Sequence, residues 1–210
     1  VYPNRAFRTK GWLSIKDELG LEYLDCGGSR AFAITDHQIA HVYLRDDSPS
    51  FAAEVRSSLE SLDGVAKVFD KDSRKEAGLD HERAGDLIAI AEEDAWFAYY
   101  HWEEDAKAPD FARCVDVHRK YGYDPAELFV DPEIPFPTAK AALRLLQKKM
   151  GFRMSMDLIP LDASLVKGTH GAIPKDKSDW PVLLGSIPEP QGEWISSTEV
   201  RDILLRFCTH

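Results

Sequence analysis

Six ionisable side chains, Asp116, His118, Arg119, Lys120, Asp124 and Glu127, fall within twelve consecutive positions that also hold Gly122 and Pro125. Gly and Pro break regular structure, so these groups sit on irregular backbone, where scaffolds usually carry their chemistry. Asp116 and His118 share strand parity and can pair as carboxylate and imidazole, fixing a tautomer behind a metal ligand, with Arg119 or Lys120 reaching a phosphate oxygen. The competing reading is a structural ion-pair cluster. Just upstream, Trp96, Phe97, Tyr99, Tyr100 and Trp102 form either a core strand or a platform on which Trp96 and Tyr100 stack against a base or aryl leaving group.

Two further pieces frame this stretch. Asp36-His37-Gln38, with His41, lies upstream, and Gly168-Thr169-His170-Gly171 lies downstream. Asp36, His37 and His170 are the donor types that zinc or manganese takes. Two-metal hydrolysis needs such donors converging on ions roughly 3.5–4 Å apart, one activating the nucleophile and both stabilising phosphoryl oxygens. His37 and His41 share strand parity, and Asp36 points the opposite way unless the crossing bends. His41 reads as a packed histidine, and Glu103-Glu104-Asp105 as a solvated turn.

The elements that must position these groups follow from periodicity. Asn4–Gly11 reads as a short helix, and Trp12–Leu24 as alternating strands through a turn at Gly20. Ala31–Thr35 and Ala40–Leu44 are strands flanking Asp36-His37-Gln38-Ile39. Ser48 or Ser50 caps a helix carrying Phe51, Val55, Leu59 and Leu62, closed by Gly64. Strands over 64–69 and 86–91 enclose a short polar helix at 72–77. The order β-β-α-β-α-β predicts an α+β layer with one helical face. An aromatic strand over 95–100 leads into a loop that walls the site, and the residues from Lys107 to Phe129 are expected to fold over the metal-facing side. Thr138–Met150 is an amphipathic helix with Ala142, Leu145, Leu146 and Met150 on one stripe. Trp180–Leu184 reads as a final strand and Ser197–Arg206 as a C-terminal helix capped by Ser196 or Ser197.

Composition bounds the function. At 210 residues the chain can bury roughly 70% of its unfolded surface. A formal charge of −10 argues against a nucleic-acid backbone or an anionic membrane as main partner, and no apolar run reaches membrane-spanning length. Cys26, Cys114 and Cys208 form no C-x-x-C pair, which predicts a reducing, cytoplasmic setting. The chain opens at Val1 without an initiator Met and shows no signal peptide, so further residues are expected to precede it.

The segments ITDHQIAHVYL (34–44), DAWFAYYHWEEDAKAPDFARCVDVHRKYGYDPAELF (94–129) and PLDASLVKGTHG (160–171) together resemble the C-terminal half of the type I phosphodiesterase/nucleotide pyrophosphatase group of the alkaline phosphatase superfamily. The resemblance spans nearly the whole chain. It implies an α/β fold, an alkaline-phosphatase-like mixed sheet flanked by helices with α+β character in this fragment. Within it, 30–92 would be a βαβ-type subregion, 93–136 the aromatic and charged loop, and 137–210 the helix, metal-ligand loop and C-terminal elements. It implies two divalent ions, zinc or manganese, with His170 as the ligand of the family's late Ser-His-Gly and Asp36 and His37 as the pair on the second metal. Here that pair sits in Asp-His-Gln in place of Ser-Asp-His-Gly, and Thr169 replaces Ser. It also implies an N-terminal half holding the first metal-binding Asp and a Thr or Ser nucleophile, to whose nucleophile segment nothing in these residues corresponds. The expected function is hydrolysis of phosphodiester or nucleotide pyrophosphate bonds in a small phosphorylated substrate. Two rivals stand beside it: a non-catalytic scaffold subunit with a degenerate site, and a phosphomutase or phosphonate hydrolase of the same superfamily.

Overall fold

The structure, a computed structural model, describes residues 1–46, 48–116, 118–185 and 194–208. They divide into two compact units, Val1–Ile173 and Pro174–His210. The first begins with α1 (Pro3–Thr9), which Pro3 starts at a position where no intrahelical N–H is needed. A hairpin follows, β1 (Ser14–Glu18) and β2 (Leu21–Asp25). Its two turn residues, Leu19 and Gly20, have φ of 57° and 83°, the left-handed pair that a two-residue hairpin of this twist requires.

The main sheet is built from β3 (Ala31–Asp36), β4 (Ile39–Leu44), β5 (Val65–Phe69), β6 (Leu87–Ala91) and the two-residue β7 (Gly122–Tyr123), in the order β5-β6-β4-β3-β7. All neighbours are antiparallel except β3 and β7, which run parallel with Thr35 opposite Gly122. α2 (Pro49–Glu60) joins β4 to β5, and the short α3 (Ser73–Glu76) lies between β5 and β6. Alternation in β3 and β4 buries Ala31, Ala33, Ala40 and Val42, which meet Phe51, Val55 and Leu59 of α2 in one core. Each Val, Leu or Phe so buried stabilises the fold by roughly 1.5–3 kcal/mol.

The exposed side of β3 is closed by a side chain. Asn4 of α1 accepts from Ala33 N at 2.8 Å and donates to Ala33 O at 2.9 Å, pairing the strand's free backbone groups as a neighbouring strand would.

Residues 95–100, expected as a strand, are instead irregular and buried. Three carbonyls of 99–102 bond to side chains of α1 and not to a ladder: Asn4 Nδ2 donates to Tyr99 O at 3.3 Å, Arg8 Nη1 to His101 O at 3.1 Å and Arg5 Nε to Trp102 O at 2.6 Å. Their rings form a second core, with Tyr100 stacked on Trp102 at 4.6 Å and Tyr99 edge-on to Tyr100 at 5.1 Å.

α4 (Pro137–Lys149) forms where expected, but its inner face is polar. Arg144 clasps Asp157 through bonds of 2.8 and 3.0 Å, and Lys140 lies 2.9 Å from the same carboxylate. Leu143, Leu145, Leu146 and Met150 face outward and are exposed, so the apolar stripe does not serve this unit's core. In the second unit, Ser196 and Glu199 form a reciprocal capping box at a 3-10 turn that runs into α5 (Val200–Cys208). Trp180–Leu184 is irregular, and Val182 and Leu184 are 78% and 86% exposed. A lone extended segment without a ladder partner has nothing to make it a strand. Among the described residues no helix is long and apolar enough to cross a membrane.

Candidate functional site

The turn between β3 and β4 contains only His37 and Gln38, since Asp36 pairs directly with Ile39. His37 adopts φ of 55°, a left-handed conformation unusual for a residue with a Cβ. This bend overrides strand alternation, so Asp36 and His37 line the same cleft. The turn is held by Phe97 N, which donates to His37 O at 2.8 Å.

Around the His37 ring, three segments distant in sequence meet. The Tyr123 ring stacks on it at 4.8 Å and 21°, and the His170 ring lies 3.9 Å away at 31°. His37 Nδ1 is hydrogen-bonded to the Thr169 hydroxyl, while Nε2 stands 3.8 Å from Asp36 Oδ1. Burial lowers the His37 pKa, the neighbouring His170 lowers it further, and Asp36 opposes both. The imidazole is therefore neutral near pH 7, with a lone pair on one of its two ring nitrogens.

Tyr123 is delivered by β7. Its neighbour Gly122 has φ of 116°, and a Cβ there would lie 1.7 Å from Thr35 O, so only glycine lets β7 close onto β3. Below it, Asp124 caps the turn of Pro125–Leu128 by accepting from Ala126 N at 3.1 Å. The resulting cleft has a volume of about 840 Å³. Asp36, His37, Thr169 and His170 supply its polar side, Leu128, Phe129, Leu165 and Val166 its apolar side, and Lys167 its cationic group.

Asp36, His37 and His170 thus come together, and the other expected residues do not join them. Arg119 pairs with Asp110 at 2.8 Å and lies over the Phe111 ring, 5.1 Å from its centroid. Asp116 is half-buried and His118 is exposed, and neither lines the cleft. Lys120, expected to meet phosphate, is buried, with Nζ 2.6 Å from Glu127 Oε1 and 3.7 Å from Asp124 Oδ2. Trp96 and Tyr100 are core residues at 8% and 0% exposure, and Tyr100 OH donates to Asp124 Oδ2 at 3.4 Å. The loop's charges therefore hold the site wall from behind. Sequence reasoning passed over Tyr123, Gln38 and Lys167. Tyr123 follows the one glycine of the loop, and Gln38 occupies the motif position where the resemblance expects Gly.

For a divalent ion, the donor types fit and the donor number does not. Asp36 Oδ1 and His37 Nε2 face one another across a gap, whereas the His170 ring lies alongside His37. Among the described residues no group of three or more His, Cys, Asp or Glu side chains could hold a metal ion. Two ions with three or more protein ligands each need roughly six donors, against the three His and Asp side chains that the described residues bring to this cleft.

In comparison with known proteins, the family model for type I phosphodiesterase / nucleotide pyrophosphatase matches residues 1–124. The match includes Asp36, His37 and Tyr123 and ends before Thr169-His170-Gly171. No curated protein matches. Among solved structures, phosphonoacetate hydrolase from Sinorhizobium meliloti 1021 in complex with phosphonoacetate is 22% identical with a TM-score of 0.32, over 40% of this chain. The matched part spans 23% of that enzyme's length. With more than half of its residues inside the family model, and with the Asp36-His37 pair set at the tip of a sheet hairpin, the chain belongs to the type I phosphodiesterase/nucleotide pyrophosphatase family.

Proposed function

We propose that this chain is part of a metal-dependent hydrolase of phosphodiester or nucleotide pyrophosphate bonds, to which it contributes metal ligands and one wall of the substrate cleft. The observation that carries this reading is the contact of His37 with Thr169, 132 positions away in sequence, and with the adjacent His170. His37 and Thr169 are partly buried there while Asp36 and His170 stay open to solvent, so two imidazoles, a hydroxyl and a carboxylate meet at the rim of the cleft with faces left for a ligand.

Asp36, His37 and His170 would supply only part of the ligand set for divalent ions, zinc or manganese, whose Lewis acidity would act on phosphoryl oxygens. The chain's own residues do the rest. Burial keeps His37 neutral and ready to ligate, and the Thr169 hydroxyl fixes its ring. Lys167 offers a positive charge to an anionic substrate at a protein of net charge −10. Leu128, Phe129, Leu165 and Val166 give the leaving group an apolar surface. The missing donors and the nucleophile would come from a further part of a longer protein or from a separate chain.

The test is elemental analysis and turnover. A protein extended upstream of Val1 should hold about two divalent ions, and His170→Ala should lose at least one. The 210 residues alone should hydrolyse a p-nitrophenyl phosphodiester no faster than free metal. Equal metal content in wild type and His170→Ala, or sustained turnover by the chain alone, overturns the reading.

A further inference from the structure

Gln38, the second residue of the hairpin turn, is buried to 4% exposure, yet its amide faces backbone from two other segments. Nε2 donates toward Glu92 O at 3.1 Å, Glu93 O at 3.1 Å and Ala95 O at 3.3 Å. Oε1 accepts from Ala172 N at 3.1 Å. The reversed amide would set its oxygen against three carbonyls and its NH₂ against an N–H, so the network itself fixes the orientation. The backbone of Gln38 continues the pattern: its N donates to His170 O at 3.0 Å and its O accepts from Ala91 N at 2.9 Å.

The far side of the contact is shaped to match. Gly171, at φ of 125°, packs on the Gln38 stem so closely that an added Cβ would lie 3.3 Å from Gln38 Cβ. Residues 170–172 are therefore seated on Gln38 by two hydrogen bonds and one glycine contact. This segment carries His170 and is not part of the sheet, so its register against His37 has no ladder to define it.

We propose that Gln38 is the positioning residue of the site, setting Thr169 and His170 against His37 by clamping 170–172 to the hairpin and to 92–95. It rests on the functional reading only in that these residues form the site. The sequence departure at this position, Gln for the Gly that the resemblance expects, is then a working part of the site and not a sign of decay.

The test uses the metal-free chain and NMR. In wild type, ring protons of His37 and His170 should show an NOE, as their 3.9 Å centroid separation requires. Gln38→Met keeps the length of the side chain and removes its bonding. It should abolish this NOE and speed exchange of the Ala172 amide about tenfold, the effect of losing a hydrogen bond of ordinary strength, while amides of β4 stay protected. Gly171→Ala, which leaves the amide intact but strains a φ of 125° and requires Gln38 Cβ to give way by a few tenths of an ångström, should weaken both signals in the same direction and decides the matter if Gln38→Met does not fold. Asn4→Ala removes another buried amide, one with three hydrogen bonds of its own, so it should lower stability and leave the ring NOE in place. Persistence of the NOE and of Ala172 protection in the folded Gln38 or Gly171 variant would overturn the proposal. Because neither metal nor turnover is read, that result would be distinct from failure of the hydrolase reading.

Discussion

His101 makes the stability of this chain sensitive to mild acid. The residue is fully buried beside Trp102 and Tyr121, and its Nε2–H donates to Glu22 O at 3.0 Å. Its Nδ1 is buried without a hydrogen-bond partner among the described residues, so a second ring proton would meet no acceptor there. Burial, reinforced by the charge of Arg8 and opposed by the Glu22 carbonyl, lowers its pKa from 6.5 to about 4. As pH falls below 6.5 the unfolded chain takes up a proton that the folded chain refuses, so stability present above that value is lost down to about pH 4. The full difference corresponds to about 3 kcal/mol, of which about 2 kcal/mol is lost by pH 5. Urea unfolding of wild type and His101→Gln at pH 7 and pH 5 measures it, because the glutamine amide can donate to Glu22 O but does not titrate. His37 and His41, whose pKa values burial also lowers, and Asp124, whose pKa burial raises, act in both proteins and cancel. The variant should lose about 2 kcal/mol less than wild type between the two pH values. Parallel losses in the two proteins would show that His101 is not what refuses the proton.

Lys120→Met leaves Glu127 and Asp124 facing one another in a region where all three side chains are at most 5% exposed. It should cost roughly 3–5 kcal/mol in denaturant unfolding, and adding Glu127→Leu should restore most of that. Gly122→Ala places a Cβ 1.7 Å from Thr35 O, so it should detach β7, take the Tyr123 ring off His37 and remove its ring-current shift. Gly78→Ala, also at positive φ but with open space around the new Cβ, should cost only about 1–2 kcal/mol; equal effects of the two substitutions would mean that β7 is not held by close approach.

What sequence made legible was whatever local chemistry decides. Period-two alternation located β3 and β4, Phe51, Val55 and Leu59 at helical spacing located α2, and Gly11, Gly64 and Gly151 marked ends where φ is positive. The failures were of another kind. The run from Trp96 to Trp102 has strand composition, but its carbonyls at Tyr99, His101 and Trp102 are taken by the side chains of Asn4, Arg8 and Arg5, a choice made by residues some ninety positions away. α4 has a proper apolar stripe, and the Asp157 carboxylate turned its basic side inward instead. Periodicity reports that a helix has two faces and is silent on which one this chain uses.

The same distinction separates the site residues. Asp36, His37 and His170 were read from donor chemistry and motif, and they meet. Arg119, Lys120, Asp116 and His118 were read from charge density, and they do not. Charge density does not separate a group that faces substrate from one that braces the wall behind it, because both gather ionisable residues on irregular backbone. Burial separates them: Lys120 has no exposed side-chain surface and is matched by Glu127 and Asp124, whereas Lys167 lies on the cleft itself. A buried pair of this kind is costly to form and costlier to break. It sets the loop's charges behind Gly122 and Tyr123, which leaves Lys167, Asp36, His37 and His170 as the charged and titratable groups that line the cleft.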